Sequence, residues 1–136
     1  IVQLLDRFIK ENKIAFKPMP KKVIYYDGCD IGRHCGIYEE PRNILRAIPQ
    51  IELIEFDYNR EEAVCCGGPL VASYPDLAGE IPIKHVQEAM DKGADMLVSA
   101  CAACMLNFKE GAKRISSKLD IQDICMLIGK QVTSPA

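Results

Sequence analysis

The sequence predicts an α/β fold: three layers, with a mostly parallel sheet of three to four strands, helices on both faces, and cysteines at the carboxyl edge of the sheet. Two observations predict it. Short β-rich runs alternate with stretches whose apolar residues recur at helical spacing. Cys29, Cys65 and Cys101 recur every 36 residues, which suits one βαβ unit per cysteine group. Right-handed crossovers make such a sheet parallel, and the organisation reads as strand, cysteine, helix, three times over. Cysteines distant in the chain then become neighbours at the edge where open α/β sheets bind their ligands.

Ile1, Leu4, Leu5, Phe8 and Ile9 form one apolar helix face, with Asp6, Arg7, Lys10 and Glu11 opposite. The basic run from Lys17 to Lys22 is broken by Pro18 and Pro20 and reads as a solvated linker. Residues 1–20 are thus an N-terminal helix and linker, and 21–136 a single domain. Lys22 to Tyr26 is the first strand, and Asp27-Gly28 turns the chain into Cys29. Gly32 to Gly36 reads as loop or first helical turn. Glu39-Glu40-Pro41 starts a helix, with acids and proline suited to its first turn. Ile44, Leu45 and Ile48 are its buried face, and Pro49 stops it. Ile51 to Phe56 is a second strand.

Pro69 to Pro75 reads as a loop able to cover whatever the cysteines hold. A helix beginning at Pro75 or Pro82 runs to Lys92, with Ile83, Val86 and Met90 inward, His85 outward and without a role, and Gly93 as C-cap. Asp95 to Ser99 is the third strand and leads into Cys101. Cys104 to Arg114 is helical, with Cys101 and Cys104 on one side of its first turn. Leu119 to Ile121 is a short fourth strand, and Ile124 to Lys130 a closing amphipathic helix.

At 136 residues, 49% apolar and 26% charged, the chain is long enough to bury one substantial core. Its net charge of -2, mixed signs and lack of Trp argue against a nucleic-acid partner. No apolar run approaches the roughly 20 residues of a membrane span. The chain begins at Ile1 without Met or a signal pattern, as expected of a trailing piece of a longer polypeptide. Seven cysteines, an odd number, in an α/β pattern fit a reducing cytoplasm, where cysteines bind metals or do chemistry more often than they pair.

The centre of the pattern is Cys65-Cys66-Gly67-Gly68, within the spacing C-x35-CC-x34-C-x-x-C. Vicinal cysteines sit about 3.8 Å apart at Cα, below the usual disulfide range of about 4.4–6.8 Å, so both sulfurs are free for another ligand. The glycines let backbone approach a bulky group closely. The helix start at Cys101-x-x-Cys104 favours thiolate over thiol, and thiolates suit soft metals and iron-sulfur clusters. Cys29, Cys65, Cys66, Cys101 and Cys104 make five thiols, one more than structural zinc or a cubane cluster takes. Cys35 and Cys125 lie outside the pattern and read as buried small hydrophobes. Asp27, Glu39 and Glu40 read as turn and helix-start residues.

Tyr26-Asp27-Gly28-Cys29-Asp30-Ile31-Gly32-Arg33-His34, Gly36 to Arg42, Cys65-Cys66-Gly67-Gly68, and Gly93-Ala94-Asp95 through Cys101-x-x-Cys104 resemble the cysteine-rich CCG domain. It occurs in heterodisulfide reductase catalytic subunits and in relatives such as the glycolate oxidase iron-sulfur subunit. The resemblance runs from about Val23 to Lys130. It implies an iron-sulfur redox domain of an oxidoreductase in which Cys29, Cys65, Cys66, Cys101 and Cys104 hold a noncubane [4Fe-4S] cluster, for electron transfer and disulfide reduction. Zinc, in a structural assembly module, is the alternative.

The implied partners are other Fe-S or flavin subunits and a second CCG domain N-terminal to this one, so that the isolated domain is not expected to be active. Arg33 and His34 are the candidate catalytic residues, as donors to cluster or substrate sulfur, with His34 also able to move a proton. The chain departs from the family pattern at Tyr26 (often His), Gly28 (often Pro) and Ala102 (often Pro). These differences bear on tuning more than on ligation.

Overall fold

The computed structural model describes residues 1–134. Its elements follow one another as α1 (Val2–Lys10), β1 (Ala15–Phe16), β2 (Lys22–Tyr26), α2 (Glu39–Arg46), β3 (Glu52–Glu55), α3 (Pro75–Asp91), β4 (Met96–Ser99), α4 (Ala102–Arg114), β5 (Asp120–Asp123), α5 (Ile124–Gln131) and β6 (Val132–Thr133). Strands β3, β2, β4 and β5 lie side by side in that order, every neighbouring pair parallel. The expected α/β fold is therefore observed. A separate two-stranded ribbon pairs β1 antiparallel with β6, Phe16 opposite Val132.

Strand alternation sorts the core into two sides. Val23 and Tyr25 of β2, with Met96 and Val98 of β4, face a cluster built on Ile44, Leu45 and Ile48 and on Ile124 and Leu127 of α5. Ile24, Tyr26 and Leu97 face the opposite cluster, with Val86 and Ala89 of α3 and Phe108 and Ala112 of α4. Ile24, Leu97 and Phe108 are fully buried, and each such side chain contributes roughly 1.5–3 kcal/mol. The result is three layers, with the sheet sandwiched between helices.

Several expectations are corrected. On α1 the buried residues are Val2 and Asp6, while Ile1 and Leu4 are exposed; Asp6 is tolerated inside because Lys10, one turn on, pairs with it at 2.6 Å. The supposed linker is solvated at Lys17, Pro18 and Pro20 but anchored by buried Phe16 and Met19.

Helix α3 begins at Pro75 and carries Pro82 inside it. Its inner face is Ala78, Pro82, His85, Val86 and Ala89, and Met90 is exposed. The expectation of an outward His85 fails because three aromatic rings close over it: Tyr26 at 5.4 Å, Phe108 at 5.4 Å and Phe56 at 5.7 Å between centroids. The fourth strand starts and ends later than expected, at Asp120 and Asp123. The strand-cysteine-helix repeat holds for the first and third units only. After β3 the chain runs through a loop with a 3₁₀ turn at Arg60–Glu62 before it reaches Cys65.

Candidate metal centre

The strand order creates the site. The chain goes from β2 outward to β3, then crosses back to β4 on the other side of β2, so the ends of β2 and β4 diverge into a crevice at a topological switch point. Cys29 follows β2 and Cys101 follows β4. A β-carbon placed on Gly28 would stand 3.0 Å from Cys101 Cβ and 3.8 Å from Cys104 Sγ. The turn into Cys29 therefore lies directly against the C-x-x-C segment.

Helix α4 starts with Cys101 in extended conformation as its N-cap residue and Cys104 buried one turn in. The Cys101 N–H donates to Ser99 Oγ at 3.2 Å, which holds the segment leading from β4 into the helix. The vicinal pair arrives on the long loop after β3 and turns sharply at Gly67, whose φ of 87° only glycine adopts cheaply. The Gly67 N–H donates to Cys65 Sγ and the Gly68 N–H to Cys66 Sγ, both at 3.4 Å.

Cys29, Cys66, Cys101 and Cys104 line one cavity of about 400 Å³, together with the apolar Pro69, Val71 and Leu106. Cys65, next to Cys66 in the chain, is not among the residues that line it. Hydrogen bonding from Cys104, reinforced by the Gly68 N–H, pulls the Cys66 thiol down to about 6. The same contact, together with burial, pushes the Cys104 thiol up. Burial, Asp30 and the other cysteines hold the Cys29 thiol above its ordinary value. Crowded thiols thus resist ionising together, which is relieved when a cation or cluster takes the protons' place.

Among the described residues, no group of three His, Cys, Asp or Glu donors is already drawn in to single-ion spacing. The fit to a metal group rests instead on the donor chemistry: soft sulfur ligands from three chain segments around one cavity, with backbone N–H groups aimed at two of them.

Arg33 is placed elsewhere. Its Nη2 donates to the carbonyls of Glu61 and Ala63, at 3.3 and 2.7 Å, tying the turn after Cys29 to the loop that delivers Cys65. His34 is exposed and does not line the cavity. Cys35 is exposed and Cys125 half-buried, so the expectation of two buried hydrophobes fails at Cys35, which lies in an open turn.

Sequence reasoning missed four contributors. Asp27, read as a turn residue, is buried in an ion pair with Arg42 at 2.7 Å. His85 and Tyr26 both reach the carbonyl of Val64, beside Cys65, at 3.2 and 2.9 Å. Asn107 donates from α4 to the Cys66 carbonyl; its spacing of three from Cys104 on one helix face was the available signal.

The pattern defining the CCG cysteine-rich domain matches residues 23–109. The chain belongs to the CCG cysteine-rich domain family. This CCG domain is 36% identical, over 96% of its length, to a component of the dihydromethanophenazine:CoB–CoM heterodisulfide reductase of Methanosarcina acetivorans, covering 32% of that protein. It is 27% identical over 96% of its length to FadF of Bacillus subtilis, named a probable iron-sulfur-binding oxidoreductase, covering 19% of it. It is 28% identical over 82% of its length to the EtfAB:quinone oxidoreductase of Syntrophomonas wolfei, covering 17% of it. The CCG domain thus spans about a third or less of the length of these relatives. Among the described residues, no helix is long and apolar enough to cross a membrane.

Proposed function

We propose that this CCG domain is the iron-sulfur redox module of a larger oxidoreductase, with Cys29, Cys65, Cys66, Cys101 and Cys104 as ligands of one cluster. The observation that carries the reading is the meeting of three cysteine groups, far apart in sequence, around one cavity at the switch point of the sheet. Five thiolates exceed the four of a cubane or of structural zinc, which favours a noncubane [4Fe-4S] assembly. When bound, the cluster supplies one-electron redox chemistry at sulfur-ligated iron.

The chain's own residues do the rest. Gly67 and Gly68 donate N–H bonds to two ligand sulfurs and so stabilise negative charge there. Pro69, Val71 and Leu106 give the cavity an apolar part of its lining, which suits an uncharged sulfur group. The remaining length of the relatives leaves room for electron-supplying Fe-S or flavin units and for a second CCG domain, and we assign disulfide reduction to that whole assembly, not to this domain alone.

Anaerobic reconstitution tests the reading. Iron and acid-labile sulfide in near-equal amounts, with a visible chromophore abolished by chelation, are expected. Stoichiometric zinc without colour overturns the redox function in favour of a zinc-stabilised assembly module.

A further inference from the structure

The geometry points to Asn107 as the positioning residue that aims the backbone N–H groups of the Cys65-Cys66-Gly67-Gly68 turn at the ligand sulfurs. The assignment rests on the redox reading above only for its electrochemical consequence, not for its structural core.

The core is one peptide plane. The carbonyl of Cys66 and the N–H of Gly67 belong to the same planar trans peptide and point in opposite directions. At one end the carbonyl accepts from Asn107 Nδ2 at 2.5 Å. At the other end the N–H donates to Cys65 Sγ at 3.4 Å. Fixing the first fixes the second, because the plane does not bend.

The plane is also wedged sideways. A β-carbon on Gly67 would stand 3.1 Å from the Ala78 carbonyl oxygen, 3.2 Å from Ile81 Cβ and 3.4 Å from Asn107 Nδ2, so the turn sits between α3 and α4 with little room to rotate. The next peptide follows, with the Gly68 N–H on Cys66 Sγ. Asn107 lies one turn after Cys104 on the helix that Cys101 caps. A single amide thus links the C-x-x-C helix to the vicinal pair and sets both in one frame.

The consequence concerns charge. An N–H aimed at a ligand sulfur stabilises the more negative, reduced form, so hydrogen bonds to sulfur are a main determinant of cluster potential. Loosening the plane removes that stabilisation without removing a ligand.

The test uses Asn107→Asp, which keeps the shape and deletes the donor, and Asn107→Ala. In the metal-free 136-residue chain, amide hydrogen exchange at Gly67 and Gly68 is expected to accelerate by about tenfold, the loss of roughly one net hydrogen bond, while Val98 in the central strand stays unchanged. In the reconstituted chain, both variants are expected to keep the wild-type iron content, move to a lower midpoint potential and show an altered electron paramagnetic resonance signal. Unchanged exchange at Gly67 and Gly68 overturns the assignment, and so does acceleration spread equally to Val98, which marks a merely structural role. Failure of the wild type to take up iron overturns the redox reading instead, and the exchange comparison still decides Asn107.

Discussion

Arg42 and Asp27 form a bidentate ion pair inside the protein, with Nη1 and Nη2 each 2.7 Å from a carboxylate oxygen and side chains 0% and 2% exposed. The guanidinium is saturated by Glu55, at 2.8 Å through Nε and Nη2, and by the Tyr38 carbonyl. It therefore joins α2 to the ends of β2 and β3. Asp27 also accepts the Arg60 N–H, so the turn into Cys29 and the loop toward Cys65 share one anchor. Such a pair costs desolvation, and removing one partner leaves a buried charge uncompensated.

Arg42→Met is accordingly expected to destabilise the fold by about 3–5 kcal/mol. Replacing Arg42 and Asp27 together by apolar residues is expected to cost less than Arg42→Met alone, since the fully buried carboxylate goes too and only the partly exposed Glu55 loses its partner. Urea unfolding of the two variants checks the ordering.

Gly111 marks the close crossing of α3 and α4. A β-carbon there would stand 3.0 Å from the Pro82 carbonyl carbon and 3.0 Å from Pro82 Cβ. Alanine gains up to about 1 kcal/mol of helix propensity against roughly 1–3 kcal/mol of overpacking. The neighbour is a proline inside a helix, which yields little, so packing wins. Gly111→Ala is expected to lower the melting temperature, and an increase would show that the two helices slide apart freely.

Tyr26→Phe keeps the ring that packs edge-on against Phe108 at 4.7 Å and deletes the hydroxyl that donates to the Val64 carbonyl. With His85 Nε2 still 3.2 Å from that oxygen, the expected loss is about 1 kcal/mol by urea unfolding. A loss of about 3 kcal/mol would mean the carbonyl is left unpaired, with His85 donating from Nδ1 to Ile81 instead.

Serine at any one of Cys29, Cys65, Cys66, Cys101 or Cys104 is expected to lose most of the reconstituted iron. Cys35→Ser and Cys125→Ser are expected to keep it, because the first is exposed and the second packs with the helices on the other side of the sheet. Iron and sulfide analysis of all seven variants decides the ligand set, and retained iron in any of the five removes that residue from it.

The amino-acid sequence by itself determined the strands β2, β3 and β4, the helices between them and the list of cysteines. These follow from local periodicity and from turn residues such as Asp27-Gly28 and Gly93, which act within a few residues of themselves. Tertiary structure decided the rest. Whether Asp27 is a turn residue or a buried anion depends on Arg42 and Glu55 lying opposite it. Whether His85 faces outward depends on Tyr26, Phe56 and Phe108 closing over it. That Cys66 lines the cavity, with Cys65 next to it in the chain, depends on the loop after β3, which carries no periodicity to read. The physical reason is the same in each case: hydrogen bonds, ion pairs and ring contacts between residues distant in the chain have no signature in local spacing, because their partners are chosen by the crossing of elements in space.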